Sequence, residues 1–409
     1  MDTKNNRQLK YACYSCSVAM SATVSISPLL FVTFRNLYGI SFSLLGLLVL
    51  INFVTQLLVD LAFSFFSHRF NITLAVKGTG FLSAAGLLLF AVLPRLFPTH
   101  AYAGFVVGTI LFSAASGLSE VFGSPIIAAL PAKDPDREMS KLHSCYAWGC
   151  VFVVLFSTLF LHVVGTQNWH WLVVILALIP LTSGLLFLPC TLPHIQTPEK
   201  ASGTLKLLRN KGIWLCVLAI FLGGSAECTM SQWCSGYLEQ ALGLPKLWGD
   251  VFGVALFALM MGLGRSLYGK FGRHLGRILT FGMLCSALCY FIAATGTPLI
   301  GLLACAFTGF CTSMLWPGTL VVASERFPDA GLFIFAIMAA GGDLGASVGP
   351  QLVGVVTDAV MVAPGAAAFA AGLSLTAEQL GMKLGLLVGM LFPLVGTFIQ
   401  LHLWRTAKK

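Results

Sequence analysis

Long apolar runs dominate this sequence and limit what it can fold into. A helix needs about 20 apolar residues to cross the hydrocarbon core of a bilayer. Twelve such windows can be drawn along the 409 residues, of which only 10% are charged, and the mean hydropathy is +0.88. The sequence therefore predicts an all-α integral membrane protein with twelve transmembrane helices. The windows cover approximately residues 11–34, 42–67, 72–93, 101–129, 140–164, 169–189, 211–238, 248–271, 275–296, 298–323, 331–357 and 378–404.

The distribution of basic residues predicts the topology. Of the 24 Lys and Arg residues, 20 fall on alternate loops and on both chain ends, and four fall on the opposite side: Arg35, Arg95, Lys246 and Lys383. Because cytoplasmic loops carry the excess of Lys and Arg, we expect both termini to be cytoplasmic and the protein to lie in the inner membrane. The net charge of +9 is then topological, so the expected surroundings are a lipid bilayer and no nucleic acid.

A polar segment near the middle of the chain divides the windows into two sets of six. It predicts an N-terminal bundle at residues 1–190, a cytoplasmic linker at residues 191–211 and a C-terminal bundle at residues 212–409. An offset of 192 residues aligns two pairs of positions in the fourth and tenth windows: Gly117 with Gly309, and Pro125 with Pro317. Two pseudo-symmetric bundles of this kind are typical of secondary carriers, whose solute site lies near the bilayer midplane.

Four carboxylates lie inside the apolar windows: Asp60, Glu120, Glu227 and Asp343. An ionised side chain at the bilayer centre costs about 2.5–3.5 kcal/mol on the insertion scale, so such residues usually face a bundle interior or an ion path. We expect Glu120 and Glu227 to couple transport to protons. The alternatives are a carboxyl group bonded to nearby serine hydroxyls for Glu120, and a structural partner of an arginine for Glu227.

Two arginines complete a set predicted to form gates or ion pairs. Arg265 lies in the eighth window, where a lone guanidinium is costly, and Asp343 is one candidate partner. Asp60 and Asp343 are expected to gate or to fix helix register. Arg69 follows the second window, in a short loop on the predicted cytoplasmic side.

Amide and aromatic side chains within the windows are candidates for binding a solute, since carriers of sugars need hydrogen-bonding groups and flat apolar faces. Taken one at a time, each tryptophan is better explained as a packing residue or an interface anchor than as a stacking residue. The predicted binding residues are Asn52, Gln56, Trp148, Gln232, Trp233, Trp316 and Gln351. The twelve cysteines are scattered through the apolar windows, so no metal site or cofactor is expected. The coupling ion is predicted to be H⁺, with Na⁺ as the alternative.

The loop after the second window carries the first family resemblance. Major facilitator carriers have Gly-x3-Asp-Arg-x-Gly-Arg at this place, and Arg69 matches, whereas Ser64, His68 and Asn71 replace the first Gly, the Asp and the second Gly. With twelve windows and a polar mid-chain segment, the chain resembles a major facilitator superfamily transporter over its whole length.

Three further segments resemble the fucose/glucose permease group and its bacterial relatives. They are residues 52–60, residues 117–125 with the Gly-Leu-Ser-Glu run, and residues 142–149 (LHSCYAWG). The resemblance implies sugar–proton symport, with Glu120 as the protonation site on the fourth helix. One departure is that fucose carriers have an aspartate in the first helix, whereas residues 11–34 contain none. This puts fucose itself in doubt as the solute.

A receptor or scaffold that transports nothing would leave the costly carboxylates in the apolar windows without a purpose, and two further functions also fit the sequence less well. Drug–proton antiporters of this fold carry Gly-x3-Gly-Pro in the fifth helix, but here Gly345, Gly349 and Pro350 place that pattern in the eleventh window. An intramembrane enzyme is not expected, because no His-Glu-x2-His or Gly-x-Ser-x-Gly run occurs. The sequence thus favours a monomeric secondary transporter of a small polar solute, with a drug–proton antiporter as the alternative.

Overall fold

The computed structural model describes residues 3–66, 69–131, 135–193, 209–271, 274–327 and 332–406, and these residues contain no β-strand. Twelve helical segments among them are long and apolar enough to cross a membrane, which confirms the predicted architecture. The helices are α1 Thr3–Tyr38, α2 Phe42–Phe66, α3 Ile72–Leu96, α4 Ala101–Ala129, α5 Pro135–Val164, α6 Trp169–Leu176, α7 Leu178–Phe187, α8 Lys211–Gln240, α9 Lys246–Trp248, α10 Leu256–Phe271, α11 Leu275–Thr295, α12 Pro298–Thr312, α13 Leu315–Arg326, α14 Leu332–Val362, α15 Ala366–Gly372, α16 Ala377–Gly389 and α17 Leu391–Thr406.

Four of the twelve spans are interrupted. The segments α6–α7, α12–α13 and α16–α17 each form one span with a break inside it, and α9 is joined to α10 by a π-helical turn, Gly249–Ala255. Such breaks are tolerated in membranes where packed neighbours satisfy the freed backbone groups. The residues at the first three breaks, Ala177, Ser313, Met314 and Met390, keep α-helical backbone angles, so each of these spans continues with only a local interruption.

The helices form two compact units. The N-terminal unit contains Met1–Thr33 and Val54–Ala201, and the C-terminal unit contains Phe34–Phe53 and Ser202–Lys409. The end of α1 and the start of α2 therefore pack with the C-terminal helices. The predicted linker falls largely within residues 194–208, which lie outside the described residues.

In the N-terminal unit, α3 and α4 pack closely because small residues line their contact. Gly86 faces the backbone of Phe112, and Gly108 faces Phe90 across the same interface. The Phe90 ring then packs on Phe105 and Trp169, with centroids 4.9 Å and 6.3 Å away. Small residues that let helix backbones approach are the usual means of packing in a membrane, where burial of apolar surface drives no association.

In the C-terminal unit, α8 packs along α14 in the same way. Gly345 leaves space only for the backbone of Phe221, and the Ser225 hydroxyl donates a 3.0 Å hydrogen bond to the Gly345 carbonyl. One further bond joins the helices where Pro350 interrupts the α14 ladder, since the Trp233 indole N–H donates to the Pro350 carbonyl at 2.8 Å. These contacts set the position of Glu227 on α8 and of Asp343 on α14.

Candidate functional site

Two carboxylates come together in the N-terminal unit. Asp60 on α2 and Glu120 on α4 lie about one turn beyond Gln56 and Gly117, where the two helices touch closely enough that a Cβ on Gly117 would lie 3.1 Å from the Gln56 carbonyl. The carboxylates are near enough to repel each other electrostatically. Asp60 Oδ1 is buried without a hydrogen-bond partner, whereas the Glu120 side chain is exposed. The pair is suited to sharing a proton, because two adjacent carboxylates resist being charged together.

The serines beside Glu120 bond elsewhere. Ser116 Oγ lies 2.9 Å from Thr23 Oγ1, and Ser119 Oγ lies 3.0 Å from Cys16 Sγ. Both hydroxyls also donate to carbonyls of their own helix. These bonds connect α4 with α1 and give no support to the alternative in which the serines hold the Glu120 carboxyl.

In the C-terminal unit, Glu227 on α8 faces Arg265 on α10. Glu227 Oε1 lies 4.0 Å from Arg265 Nη2, and Arg265 Nε donates a 3.0 Å hydrogen bond to the Ser313 carbonyl at the break between α12 and α13. The second carboxylate oxygen, Glu227 Oε2, is buried without a hydrogen-bond partner. The sequence offered Asp343 as one partner for Arg265, and the structure places Glu227 beside that guanidinium.

Asp343 is buried on α14, next to a tryptophan contact. A Cβ on Gly342 would overlap the Trp316 ring, and one on Gly224 would lie 3.2 Å from that ring. Trp316 therefore packs against glycine backbone of α14 and α8. Packing against these two glycines therefore explains the position of the Trp316 ring, which lies beside the Asp343 backbone.

The other two predicted tryptophans have contrasting environments. Trp233 is 1% exposed and its indole N–H is bonded, so it is a packing residue. Trp148 on α5 is 67% exposed and lines a cavity of about 480 Å³ together with Tyr14, Val18 and Phe152. Of these three tryptophans, Trp148 presents the largest free face to a ligand.

The predicted amide residues occupy both units. Asn52, Gln56 and Gln232 are buried, and Gln351 Oε1 is buried without a hydrogen-bond partner. Gln351 lies against Gly46 within the C-terminal unit, since a Cβ on Gly46 would be 2.9 Å from Gln351 Oε1. Arg69 is exposed within the α2–α3 connection. The structure thus places polar side chains inside both units, with unmet hydrogen-bonding capacity at Gln351.

A charged cluster that the sequence analysis did not identify joins α1 to α5. The Glu138 carboxylate lies 3.1 Å from Lys10 Nζ and 2.8 Å from Lys141 Nζ, and it accepts a 2.8 Å hydrogen bond from the Tyr14 hydroxyl. The hydrogen bond from Lys141, followed by those from Tyr14 and Lys10, lowers the pKa of Glu138 to about 2. The i, i+3 spacing of Glu138 and Lys141 was the sequence signal for one part of this cluster.

A second missed cluster lies at the π-helical turn. The fully buried Asp250 pairs with Lys246, whose Nζ is 3.2 Å from Asp250 Oδ2, and it accepts a short hydrogen bond from the Ser235 hydroxyl. The cluster fixes α9 and the turn against α8. π-helical turns are rare and often accompany functional sites. At this turn, the Lys246–Asp250 ion pair and the Ser235 hydrogen bond hold the start of the α9–α10 span against α8.

Comparison with known proteins identifies the family. The sequence model of the Major Facilitator Superfamily matches residues 12–350, so the chain belongs to this superfamily of membrane transporters. It is a multi-pass membrane protein with the twelve-helix fold of that family. A search among curated proteins finds no match.

Solved structures share the fold at low sequence identity. A bacterial homolog of the human lysosomal transporter Spinster, in an inward-facing and occupied conformation, is 13% identical with a TM-score of 0.74, covering 99% of this chain and 98% of that chain. A point mutant of the nucleoside transporter NupG is 13% identical with a TM-score of 0.73, covering 98% and 99%. A D-xylose–proton symporter is 14% identical with a TM-score of 0.72, covering 94% and 96%. These similarities establish the fold and leave the solute open.

Proposed function

We propose that this transporter takes up a small polar solute, a sugar, together with protons across the inner membrane, with both termini in the cytoplasm. The observation that carries the proposal is the Asp60–Glu120 pair. Asp60 Oδ1 is buried and accepts no hydrogen bond, whereas the Glu120 side chain on α4 is exposed. A costly pair of this kind within a membrane-spanning bundle is expected where protons are bound and released.

The mechanism starts from the shared proton. Protonation from outside relieves the repulsion between Asp60 and Glu120 and favours the state that binds solute. Glu227 serves as a second coupling group when Arg265 moves away, and Asp343 and Arg69 take part in gating. A ligand shifts such an equilibrium only by its different affinity for the two states, so proton and solute must both bind one state better.

The solute is held by amide groups and one aromatic face. The proposed contacts are Asn52, Gln56, Gln232, Gln351 and Trp148, with Trp233 and Trp316 supporting them through packing. The unsatisfied Gln351 Oε1 is suited to accept a hydrogen bond from a sugar hydroxyl. We propose that the protein acts as a monomer in the bilayer, with H⁺ as coupling ion and no other cofactor.

A drug–proton antiporter is the second candidate, and one observation favours it. The cavity beside Trp148 has mainly apolar walls, and Trp148 and Phe152 are 67% and 54% exposed. A flat apolar wall of this kind suits an aromatic or lipophilic compound. Lys141 at the same cavity would favour an acidic one.

The test is solute-induced proton movement in de-energised cells that overproduce the protein. A panel of hexoses, pentoses, deoxysugars and sugar acids is added without Na⁺, and the external pH is recorded. We expect alkalinisation with at least one sugar and none in cells that produce Glu120→Gln. The control is Glu325→Gln, which makes the same chemical change at an exposed carboxylate at the end of α13.

Three outcomes separate the candidates. Alkalinisation that Glu120→Gln abolishes, with sugar counterflow retained, supports symport coupled by this residue. Undiminished uphill uptake by Glu120→Gln would remove the coupling role. If no sugar in the panel changes the external pH and the same cells show proton-dependent dye efflux, the protein would instead be assigned as a drug–proton antiporter.

A further inference from the structure

The cavity beside Trp148, which lies between α1 and α5 in the N-terminal unit, has one charged end. Of the eight described residues that line it, Lys141 alone carries a charge. Lys141 and Trp148 are seven residues apart on α5, so they lie on one face of that helix, about 10 Å apart along its axis. Ser144 and Cys145 line the wall between them. The cavity thus offers a flat aromatic face at one end and an ammonium group at the other.

The position of Lys141 is fixed by the charged cluster around Glu138. Lys141 Nζ donates to Glu138 Oε1 at 2.8 Å, while the Tyr14 hydroxyl and Lys10 Nζ lie 2.8 Å and 3.1 Å from Glu138 Oε2. The Tyr14 side chain also lines the cavity, so the carboxylate joins α1 to α5 at the charged end. An ammonium group has three hydrogen-bond donors, and the contact with Glu138 engages one of them. Lys141 can therefore bind a further acceptor without leaving Glu138.

The cluster has a surplus positive charge. The hydrogen bonds from Lys141, Tyr14 and Lys10 lower the pKa of Glu138 to about 2, so its carboxylate is ionised at neutral pH. Two lysines against one carboxylate leave a net charge of +1 on Lys10, Glu138 and Lys141. The Lys141 side chain is 47% exposed, against 24% for Lys10 and 16% for Glu138. The surplus charge is therefore presented chiefly by Lys141, at the cavity.

We propose that this cavity binds the carboxylate of an acidic solute, with Lys141 as the anion-binding residue and the Trp148 ring against the body of the solute. The inference rests on the proposed function, which it narrows from sugars in general to sugar acids. Hydrogen bonds between two charged groups are stronger than neutral ones, so a carboxylate gains more from Lys141 than a hydroxyl does. Glu138 and Tyr14 are positioning residues, which act through Lys141. An aromatic acid has the same chemistry, a carboxylate on a flat ring, and the experiment separates it from a sugar acid.

The test uses Cys145, a partly exposed thiol in the cavity wall, as the reporter. The full-length protein in nanodiscs of zwitterionic lipid is alkylated with iodoacetamide, and modification of Cys145 is followed by mass spectrometry at increasing ligand concentration. Glucuronate is compared with glucose, galacturonate with galactose, and benzoate with benzyl alcohol, since each pair exchanges a carboxylate for a hydroxymethyl group. A sugar acid should protect Cys145 at about tenfold lower concentration than its neutral partner. Alkylation of Cys285 on α11, which is also partly exposed, should not change.

Two matched variants assign the effect to Lys141. Lys141→Gln should raise the protecting concentration of a sugar acid about tenfold and leave that of the neutral sugar unchanged. Lys10→Gln makes the same chemical change in the other ion pair of Glu138, and Lys10 is not among the residues that line the cavity. It should change protection by less than about twofold, as expected for a charge that does not touch the ligand. Thermal unfolding of both variants checks that they are folded.

The outcomes distinguish this inference from the proposed function. Protection by a sugar acid that Lys141→Gln weakens supports both. Protection by benzoate alone, weakened in the same variant, supports the anion site and removes the sugar from the proposed function. Equal protection by acids and their neutral partners, undiminished protection in Lys141→Gln, or no protection by any compound would overturn the anion site. Sugar–proton symport would then still be decided by the proton movement that neutral sugars induce in cells.

Discussion

The Glu227 carboxylate and the Arg265 guanidinium face each other at 4.0 Å between α8 and α10. The carboxylate has a second oxygen that is buried and unbonded, while Arg265 is also tied to the Ser313 carbonyl at a helix break. The arginine is thus the better anchored partner. Movement at the α12–α13 break would shift the arginine away from the carboxylate and leave Glu227 available for a proton.

Removing the arginine should destabilise the protein through the carboxylate left behind. We expect Arg265→Met to lower the apparent melting temperature and Glu227→Gln to compensate in the double variant. The coupling energy should be about 0.5 kcal/mol, since the Arg265 side chain is 44% exposed and the pair is at the distance limit of an ion pair. A double-mutant cycle of thermal unfolding in detergent measures it, and strictly additive effects would show that the two groups do not interact.

The Asp60–Glu120 pair predicts a gain in stability at the expense of function. Glu120→Gln should raise the apparent melting temperature by about 2 °C, because it removes a repulsive neighbour of Asp60, whose Oδ1 is buried. Proton-coupled uptake should be lost in the same variant. Differential scanning fluorimetry and uptake assays on one preparation provide both values. A variant that is destabilised and inactive would instead indicate a structural carboxyl group.

Glu138 gives the protein a defined sensitivity to acid. Its folded-state pKa is lowered to about 2, chiefly by the hydrogen bond from Lys141, so its contacts stabilise the fold fully above the unfolded-state pKa of about 4.3. This stabilisation is lost progressively as the pH falls from about 5 towards 2. Thermal unfolding between pH 7 and 3 should show the loss in wild type and a flatter profile in Glu138→Gln. If the dependence of thermal unfolding on pH were unchanged in Glu138→Gln but altered in Glu325→Gln, Glu138 would not be the source of the acid sensitivity.

The same substitution should destabilise the protein at one tryptophan and leave its stability nearly unchanged at another. Trp233→Phe leaves the Pro350 carbonyl without its indole donor in a buried setting and should cost about 1–3 kcal/mol of stability. Trp148→Phe changes an exposed ring and should stay within about 0.5 kcal/mol, while weakening solute binding. Unfolding and counterflow measurements on both variants distinguish them. Equal destabilisation by the two changes would contradict the assignment of Trp233 as a buried packing residue and Trp148 as an exposed one.

The fold could be predicted from the sequence because its signals are strong and local. Apolar runs as long as a bilayer is thick have one stable solution, a helix that satisfies its own backbone, and the twelve spans follow from this. The carboxylates Asp60, Glu120, Glu227 and Asp343 stand out for the same reason, since each is costly in an apolar run.

The sequence could not predict which polar side chains contact each other. Such contacts depend on how each helix is rotated about its axis and on where a helix is interrupted. Arg265 had several carboxylates within the same apolar background, and only the placement of α8 and α10 in the folded unit brings Glu227 beside it. Asp358 lay just beyond the predicted eleventh window, at residues 331–357, and its role as a cap depends on a helix more than 300 residues earlier in the chain. No periodicity along either helix records such a bond.

The attachment of residues 34–53 to α14 and α16 also bears on how the protein is made. The first turn of α2 emerges early in synthesis, whereas its cap at Asp358 and the partner of Arg35 at Glu378 are made more than 300 residues later. Until then, the N–H groups of Phe42 and Ser43 must be satisfied by water or lipid headgroups. The first two spans can therefore complete their packing only once the last two have been inserted, so that the end of the chain finishes what its beginning leaves open.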